Sequence, residues 1–407
     1  MPTERASDAL AIRDDDQEIS TAGDGSVEPS APCDLVFAEG PGVRVTFIIS
    51  ALLAGGAERV ISIMANYWAR KGWRVTILSL DNGAIPPFFE IDKLIHHVPL
   101  GVSGDSTGLI SGIWNNLKRV LRLRRAIAQS KPQAVISFVD KTNVITLFAT
   151  WGLNLQVIVS ERTDPFMYSI GTIWDRLRWW TYSRADRIVV QTVSAREYFL
   201  PKFEAKTTVI PNPVLFASIK QATLKDRSAQ RMILAMGRLS EEKGFEHLLR
   251  AFRRVKDQYP DWTLTIIGEG PQRPELELLR EKLGLSGRLL LPGVVKTPSE
   301  LLNKAGLFVL SSRFEGFPNA LCEAMACGLP VIATDCPSGP REIIGDGKNG
   351  VLVPPGDVNA LAAAMDSLMS DPDQRARLGN HAMEITQRFG LERVMGMWED
   401  ILKPNAN

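Results

Sequence analysis

The chain has 407 residues, 45% of them hydrophobic and 23% charged, and a formal net charge of +1. That length exceeds what one hydrophobic core usually supports and predicts two domains of roughly 150 to 200 residues each. The composition excludes a chain disordered throughout, while the near-zero net charge by itself assigns no partner. Four cysteines, Cys33, Cys322, Cys327 and Cys336, are too few and too irregularly spaced for a disulfide framework or a zinc site, which fits a reducing cytoplasm.

The N-terminus lacks the basic-then-apolar order of a signal peptide. No stretch reaches the roughly 18 apolar residues of a spanning helix. The most apolar candidate, 145–159, is interrupted by Gly152, Asn154 and Gln156. A cytoplasmic protein, soluble or bound to a membrane surface, is therefore expected.

Residues 1–42 are rich in Asp, Glu, Ser, Gly and Pro, and predict a mobile tail that cannot offset its own ordering entropy. Asp14-Asp15-Asp16 lies in it, where a solvated triplet is a simpler reading than a metal-bound diphosphate site. From Val43 the pattern changes. A β-branched run at 45–49 predicts a strand, a helix follows over about 58–70 and stops at Gly72, and 75–80 predicts the next strand. Strand, helix, strand with short loops implies a parallel sheet with right-handed crossovers. Further strands are predicted at 134–138, 157–160, 187–191 and 207–210, and Pro211-Asn212-Pro213 breaks the pattern. After a polar stretch at 220–231 a second series begins, with strands at 233–236, 264–267, 289–291, 307–310 and 331–333. The fold expected is two tandem parallel α/β domains over 43–215 and 230–385, followed by a C-terminal helix and tail over 386–407. Ligands of such sheets bind beyond the carboxyl ends of the strands, so two facing domains make a cleft.

The segment Arg313-Phe314-Glu315-Gly316-Phe317-Pro318-Asn319-Ala320-Leu321-Cys322-Glu323-Ala324 runs from the end of a strand through a polar loop into a helix closed at Gly328. Pro318 suits a first helical turn, so the N–H groups of Asn319, Ala320 and Leu321 are free to face an anion. Glu323, a turn further on, can accept two hydrogen bonds from vicinal ribose hydroxyls, and Glu315 can meet a more distal hydroxylated group. Two glutamates at this spacing are by themselves ordinary surface residues; the strand–loop–helix setting with Gly316, Gly328 and Pro330 makes them a candidate site. Gly237-Arg238-Leu239-Ser240-Glu241-Glu242-Lys243-Gly244 follows the first strand of the same domain. Arg238 and Lys243 beside a helix N-terminus can neutralise a diphosphate leaving group. In the N-terminal domain, Gly55-Gly56 follows the first strand and allows close backbone approach to a ligand, or simply a tight turn.

This combination resembles the retaining, two-Rossmann-domain (GT-B fold) glycosyltransferases of family 4. The resemblance rests on Gly55-Gly56-Ala57-Glu58-Arg59, on Gly237-Arg238 with Lys243-Gly244, on Gly268-Glu269-Gly270-Pro271, and on Glu315-x7-Glu323 with Gly328-x-Pro330-Val331. It implies that Arg238 and Lys243 bind the donor diphosphate, Glu323 the ribose, and Glu315 with the Gly316 and Phe317 amides the transferred sugar. Val295 would line the base. Ser160-Glu161-Arg162-Thr163-Asp164-Pro165 and the run from Asp335 to Glu342 are similar to bacterial enzymes that extend lipid-linked oligosaccharides, including polyprenyl-diphosphate-dependent N-acetylgalactosaminyl and galactosyl transferases. Many relatives carry a histidine near the end of this strand; here Glu161 and Arg162 are the candidates to replace it on the acceptor side. The resemblance implies a nucleotide diphosphate sugar as donor, a UDP-sugar being favoured, with no cofactor and no metal.

Gly345-Asp346-Gly347-Lys348-Asn349-Gly350 fits a dinucleotide G-x-G-x-x-G pattern but precedes a short strand instead of following one, so it reads as a turn. Residues 106–139 contain no Asp or Glu and hold Lys118, Arg119, Arg122, Arg124, Arg125 and Lys131. In a helix over about 113–128, Ile113, Leu117, Val120, Leu121 and Ile127 can share one face and Lys118, Arg122 and Arg125 another. Such a helix suits an anionic membrane surface or a pyrophosphate-bearing lipid, or is a solvated helix packed on its own sheet. Seven of the nine tryptophans lie in the N-terminal domain, which favours the lipid reading. No nucleic-acid module accompanies the basic stretch. A nucleotide-sugar epimerase, a sugar phosphorylase and a non-catalytic sugar-nucleotide binding protein remain as alternatives to the transferase.

Overall fold

The computed structural model of the protein describes residues 42–104, 109–215 and 229–403. The expected tail up to residue 41, with Asp14-Asp15-Asp16 and Cys33, lies outside them, as does most of the polar stretch from Lys220.

The first sheet has seven parallel strands: β1 (Arg44–Ile49), β2 (Arg74–Ser79), β3 (His96–Pro99), β4 (Ala134–Phe138), β5 (Gln156–Ser160), β6 (Arg187–Val190) and β7 (Thr207–Val209), in the order β3-β2-β1-β4-β5-β6-β7. Five of the six residues of β1 are buried, as a parallel strand covered on both faces requires. Helix α1 (Gly56–Arg70) lays Val60, Ile61, Met64, Ala65 and Trp68 on the sheet at helical spacing, with Gly55 at its N-cap. Helices α2 (Leu109–Ser130), α3 (Asp140–Ala149), α4 (Thr172–Thr181) and α5 (Val193–Phe203) complete this domain.

The second sheet has six parallel strands: β8 (Met232–Met236), β9 (Thr263–Ile267), β10 (Leu289–Gly293), β11 (Leu307–Leu310), β12 (Val331–Thr334) and β13 (Val351–Val353), in the order β10-β9-β8-β11-β12-β13. Its helices are α6 (Phe245–Val255), α7 (Arg273–Lys282), α8 (Pro298–Lys304), α9 (Asn319–Ala326), α10 (Pro340–Ile343), α11 (Val358–Ser370), α12 (Pro372–Ala382) and α13 (Ile385–Phe389). One core holds α6 and α11 against β8, β9 and β11, and another holds α9 against the opposite face. The segment 345–350 is a tight turn before β13.

The last helix, α14 (Leu391–Leu402), does not stay with the second sheet. Its Val394, Met395 and Trp398 are fully buried in the core of the first, where the Trp398 ring stacks on Phe138 with centroids 6.3 Å apart. The chain thus crosses between the sheets twice. The two crossings touch: Val214 N donates to Phe389 O at 2.8 Å, and Val214 bridges Gly390.

Candidate active site

Both sheets reverse strand order between their first and fourth strands, at β1/β4 and at β8/β11, and such switch points open a crevice at the carboxyl ends. At the second, the loops 237–244 and 311–318 lie side by side. Arg313 N donates to Glu242 O at 2.7 Å and Ser311 Oγ to Lys243 O at 2.9 Å. This contact delivers Lys243 Nζ to both oxygens of Glu315, at 2.8 and 2.9 Å, while Ser312 Oγ donates to Oε1 at 2.5 Å. Glu315 is buried, so its charge is held out of water by a cation and a hydroxyl together. Arg238 is exposed at the mouth and makes no ion pair among the described residues.

The loop bearing Arg238 is braced from below. Gly268 has φ 141°, and a Cβ there would fall 1.9 Å from Gly237 O, so a side chain would push the two segments apart. Leu239 N donates to Glu269 O at 2.9 Å, which extends the brace. Val295 lies beyond the end of β10, half-buried against the core on the α9 side.

Helix α9 begins at Asn319, directly after Pro318, and no side chain caps it. Asn319 N donates to Phe317 O at 2.9 Å, which corrects the expectation that its amide is free, while no side chain takes the amides of Ala320 and Leu321, which remain available to an anion or to water. Phe317 is buried under the loop and Gly316 faces the other domain: a Cβ on Gly316 would come within 2.8 Å of Arg162 O and 3.1 Å of Thr163 Cα. Only a residue without a side chain lets the two backbones meet there.

Glu323 is not free at the cleft wall. Arg59 of α1 reaches it from the first domain, Nη1 to Oε1 at 2.6 Å. Burial pushes the Glu323 carboxyl above its ordinary range, and Arg59 works against that rise. Gly56 faces Asn319, since a Cβ there would lie 2.9 Å from its Nδ2; Gly55 is covered by the Glu58 carboxylate, which burial also raises. Asn212, in the first crossing, donates Nδ2 to Asn319 Oδ1 at 2.7 Å and accepts on Oδ1 from Arg162 Nη1 at 2.6 Å and Gln191 Nε2 at 2.7 Å. Further along, the Glu342 carboxylate accepts from Val193 N at 2.9 Å and Ser194 N at 3.1 Å, capping α5 from the other domain. Arg59, Asn212, Ser312 and Glu342 were not among the sequence candidates. Arg59 and Glu342 stood inside quoted motifs and Asn212 between the two prolines that break the strand pattern, while Ser312 carried no signal.

The acceptor-side candidates separate. Glu161 is 1% exposed and turned inward: the Tyr182 hydroxyl donates to its Oε1, and burial pushes its carboxyl up to about 7 against the pull of Arg178. The Arg162 guanidinium lies 4.0 Å over the Phe138 ring, tied to Asn212, and burial lowers it to about 9. Glu161 is thus corrected from an acceptor contact to an internal support: it continues the ladder, its N–H bonded to Val189 O, with its side chain on the packed side, whereas Arg162 is half-buried and tied to Asn212 in the first crossing. The face assignment of α2 is also corrected. Leu123, Ala126 and Ile127 face the sheet, whereas Leu117 and Leu121 are exposed beside Lys118, Arg122 and Arg125. The sheet selects the stripe that meets β1, β2 and β4, and leaves the other leucines outside.

The chain matches two family descriptions, "Glycosyl transferase 4-like domain" over residues 55–213 and "Glycosyl transferases group 1" over 218–384. It is 30% identical to an uncharacterized glycosyltransferase of Methanocaldococcus jannaschii, over 70% of this chain and 83% of that one. It is 28% identical, over 90% of this chain and 99% of the relative, to a Campylobacter jejuni alpha-1,4-N-acetyl-D-galactosaminyltransferase named for a PP-undecaprenol-linked GalNAc substrate. Among solved structures it is similar to sucrose-phosphate synthase of Thermosynechococcus elongatus, with a TM-score of 0.75, 21% identity, and 88% of this chain and 97% of that one covered.

Proposed function

Because the chain belongs to the group 1, GT4-like glycosyltransferases with the GT-B fold, we propose that it moves a hexosyl or N-acetylhexosaminyl unit from a nucleotide diphosphate sugar to a lipid-linked oligosaccharide. A UDP-sugar is the favoured donor and retention the stereochemical course. The setting proposed is bacterial surface polysaccharide or glycan assembly, at the inner face of the cytoplasmic membrane, with the basic helix α2 towards the lipid. The Campylobacter relative, by its name, supports a lipid-linked acceptor.

The observation that carries the reading is the junction of the 237–244 and 311–318 loops, which places Lys243, Glu315 and the uncapped start of α9 together at one switch point. In the proposed site Arg238, Lys243 and the amides of Ala320 and Leu321 at the start of α9 hold the diphosphate, with Asn319 beside them. Glu323 takes the ribose through Oε2, its other oxygen being occupied by Arg59. Glu315 with the Gly316 and Phe317 amides meets the sugar, and Val295 lines the base. The C1–O bond to the diphosphate breaks, the acceptor hydroxyl forms its bond to C1 on the same face, and its proton passes to a donor phosphate oxygen. The cations and the helix terminus supply the charge stabilisation for which other sites use a metal, so turnover is expected to survive chelation.

The test is incubation of the purified chain with UDP-, GDP- and dTDP-sugars and a polyprenyl-diphosphate-linked glycan, with products read by mass spectrometry and anomeric configuration by NMR. A lengthened glycan with the donor's anomeric configuration supports the reading. A sugar isomerised without acceptor, a sugar phosphate formed from inorganic phosphate, or donor binding without any turnover would each replace it by the corresponding alternative.

A further inference from the structure

The turn from β12 into α10 touches both domains at once. Ser338 has φ 65°, a left-handed conformation that is costly for a residue with a side chain, and Gly339 follows with φ 93°. This pair folds the turn onto the donor loop: a Cβ on Gly339 would come within 2.8 Å of Pro318 Cδ, and Ser338 Oγ lies 3.5 Å from Gly316 O. Arg388 fixes the far end of α10, donating from Nη2 to Glu342 O at 2.6 Å and from Nη1 to Ile343 O at 2.8 Å. The turn is thus seated on the second domain at both ends before it reaches across.

What it reaches is the start of α5. The Glu342 carboxylate takes the Val193 and Ser194 amides, one on each oxygen, and Thr192 Oγ1 takes the next, from Ala195 N at 3.1 Å. The first three amides of α5 are therefore satisfied, two of them by the other domain. Thr192 Oγ1 also lies 2.9 Å from Ser338 Oγ, and both residues are buried. With the Ser338 hydroxyl directed at Gly316 O, the proton between the two oxygens belongs to Thr192. A relay then runs from Ala195 N through Thr192 and Ser338 to Gly316, the residue whose backbone also abuts Arg162 and Thr163. Gly316 is held against the first domain from two sides, and burial keeps water from replacing the hydroxyl contacts.

We propose that Glu342 and Ser338 are positioning residues for transfer. By clasping the start of α5 they set the 316–318 loop in register with the first domain, and so fix the Gly316 and Phe317 amides relative to the acceptor, which rests on the reading above that gives those amides the sugar. Neither side chain belongs to the groups assigned there to the diphosphate or the ribose. The clasp therefore bears on turnover and hardly on donor affinity: a displacement of about 1 Å between reacting groups is enough to cost about 10²-fold in rate.

The experiment compares E342A, E342Q and S338G with the wild-type full chain by hydrogen exchange, calorimetric titration with nucleotide sugar, and steady-state transfer to a polyprenyl-diphosphate-linked glycan. E342A should speed exchange at Val193 and Ser194, which it uncaps. It should also speed exchange at Asn319 and Cys322, whose amides bond to Phe317 O and Pro318 O and which the Glu342 carboxylate does not touch. A cap that served α5 alone would leave this second segment unchanged. In E342A kcat should fall about 10- to 100-fold with the donor dissociation constant within about twofold of wild type. E342Q keeps one acceptor oxygen and should recover part of both losses. S338G keeps the left-handed turn, which glycine adopts freely, and removes only the hydroxyl, so it serves if E342A melts early. Unchanged exchange at Asn319 and Cys322, an intact kcat, or donor affinity lost in step with kcat would each overturn the proposal. If wild type turns over no acceptor, the transferase reading fails by itself; faster exchange at Asn319 and Cys322 in E342A and S338G still supports the clasp, and unchanged exchange there overturns it.

Discussion

Replacing Arg59 by methionine keeps most of the side-chain volume and removes the charge that holds Glu323. The pair is short, 2.6 Å, and lies mostly out of water, with side-chain exposures of 30% and 11%, so little solvent is at hand to replace the lost partner. A charged hydrogen bond in such a place contributes about 1.5–3 kcal/mol, which corresponds to a donor affinity lowered about 10- to 150-fold if Arg59 fixes the oxygen that meets the ribose. The pH dependence has a definite sign. The Glu323 carboxyl lies above its ordinary value of 4.5 in the folded chain, so its contribution to stability is fully present below 4.5 and is lost as pH rises through the raised value. Arg59 opposes that rise; without it the window widens, and the stability deficit of R59M should grow with pH. The assay is a double-mutant cycle of R59M and E323Q, read by urea unfolding at several pH values and by calorimetric donor titration. Single-mutant effects that add to within about 0.5 kcal/mol in both readouts would show that the contact couples nothing.

Lys243→Ala should lower turnover by about 10²- to 10³-fold, as loss of one group facing the leaving charge does, with a smaller change in KM; pre-steady-state kinetics would check it. Glu161→Gln keeps a partner for Tyr182 and removes the titration. Because Glu161 is held at about 7, its contribution is fully present below 4.5 and lost as pH rises through 7, so the wild-type urea midpoint should fall across that window and the variant's should stay flatter. Equal slopes would refute the buried carboxyl. Trp398→Ala should cost about 3–5 kcal/mol in urea unfolding, since it empties a fully buried aromatic position. Glu342→Gln should loosen the cap on α5 by about 0.5–2 kcal/mol, seen as faster hydrogen exchange at Val193 and Ser194.

What could be read from the chain follows the range of the interactions. β1 announces itself because both faces of a covered parallel strand demand β-branched and aromatic residues, and Lys243 and Glu315 were visible because each sits just past a strand end. Arg59 carried no local mark of its partner: a helix-surface arginine looks the same whether it meets water or a carboxylate from a distant part of the sequence. Glu161 misled for a related reason. A polar residue past a strand end points to the cleft or to the interior according to the pleat, and the Tyr182 and Arg178 that receive it come from later in the chain. On α2, leucines at 117, 121 and 123 offered more than one apolar face, and only packing on the sheet settled which one is buried.

The return of α14 to the first sheet bears on how this chain can be divided. A gene fragment ending in the first crossing would encode all seven strands of the first sheet yet leave an open slot where Val394, Met395 and Trp398 belong. The complementary fragment would carry that helix with its apolar face bare. The two halves are therefore topologically interlocked, and exchange of one domain between relatives succeeds only when the terminal helix travels with the sheet it covers. A chimera joined at 213 and again at 390 respects that boundary, and one joined only at 213 does not.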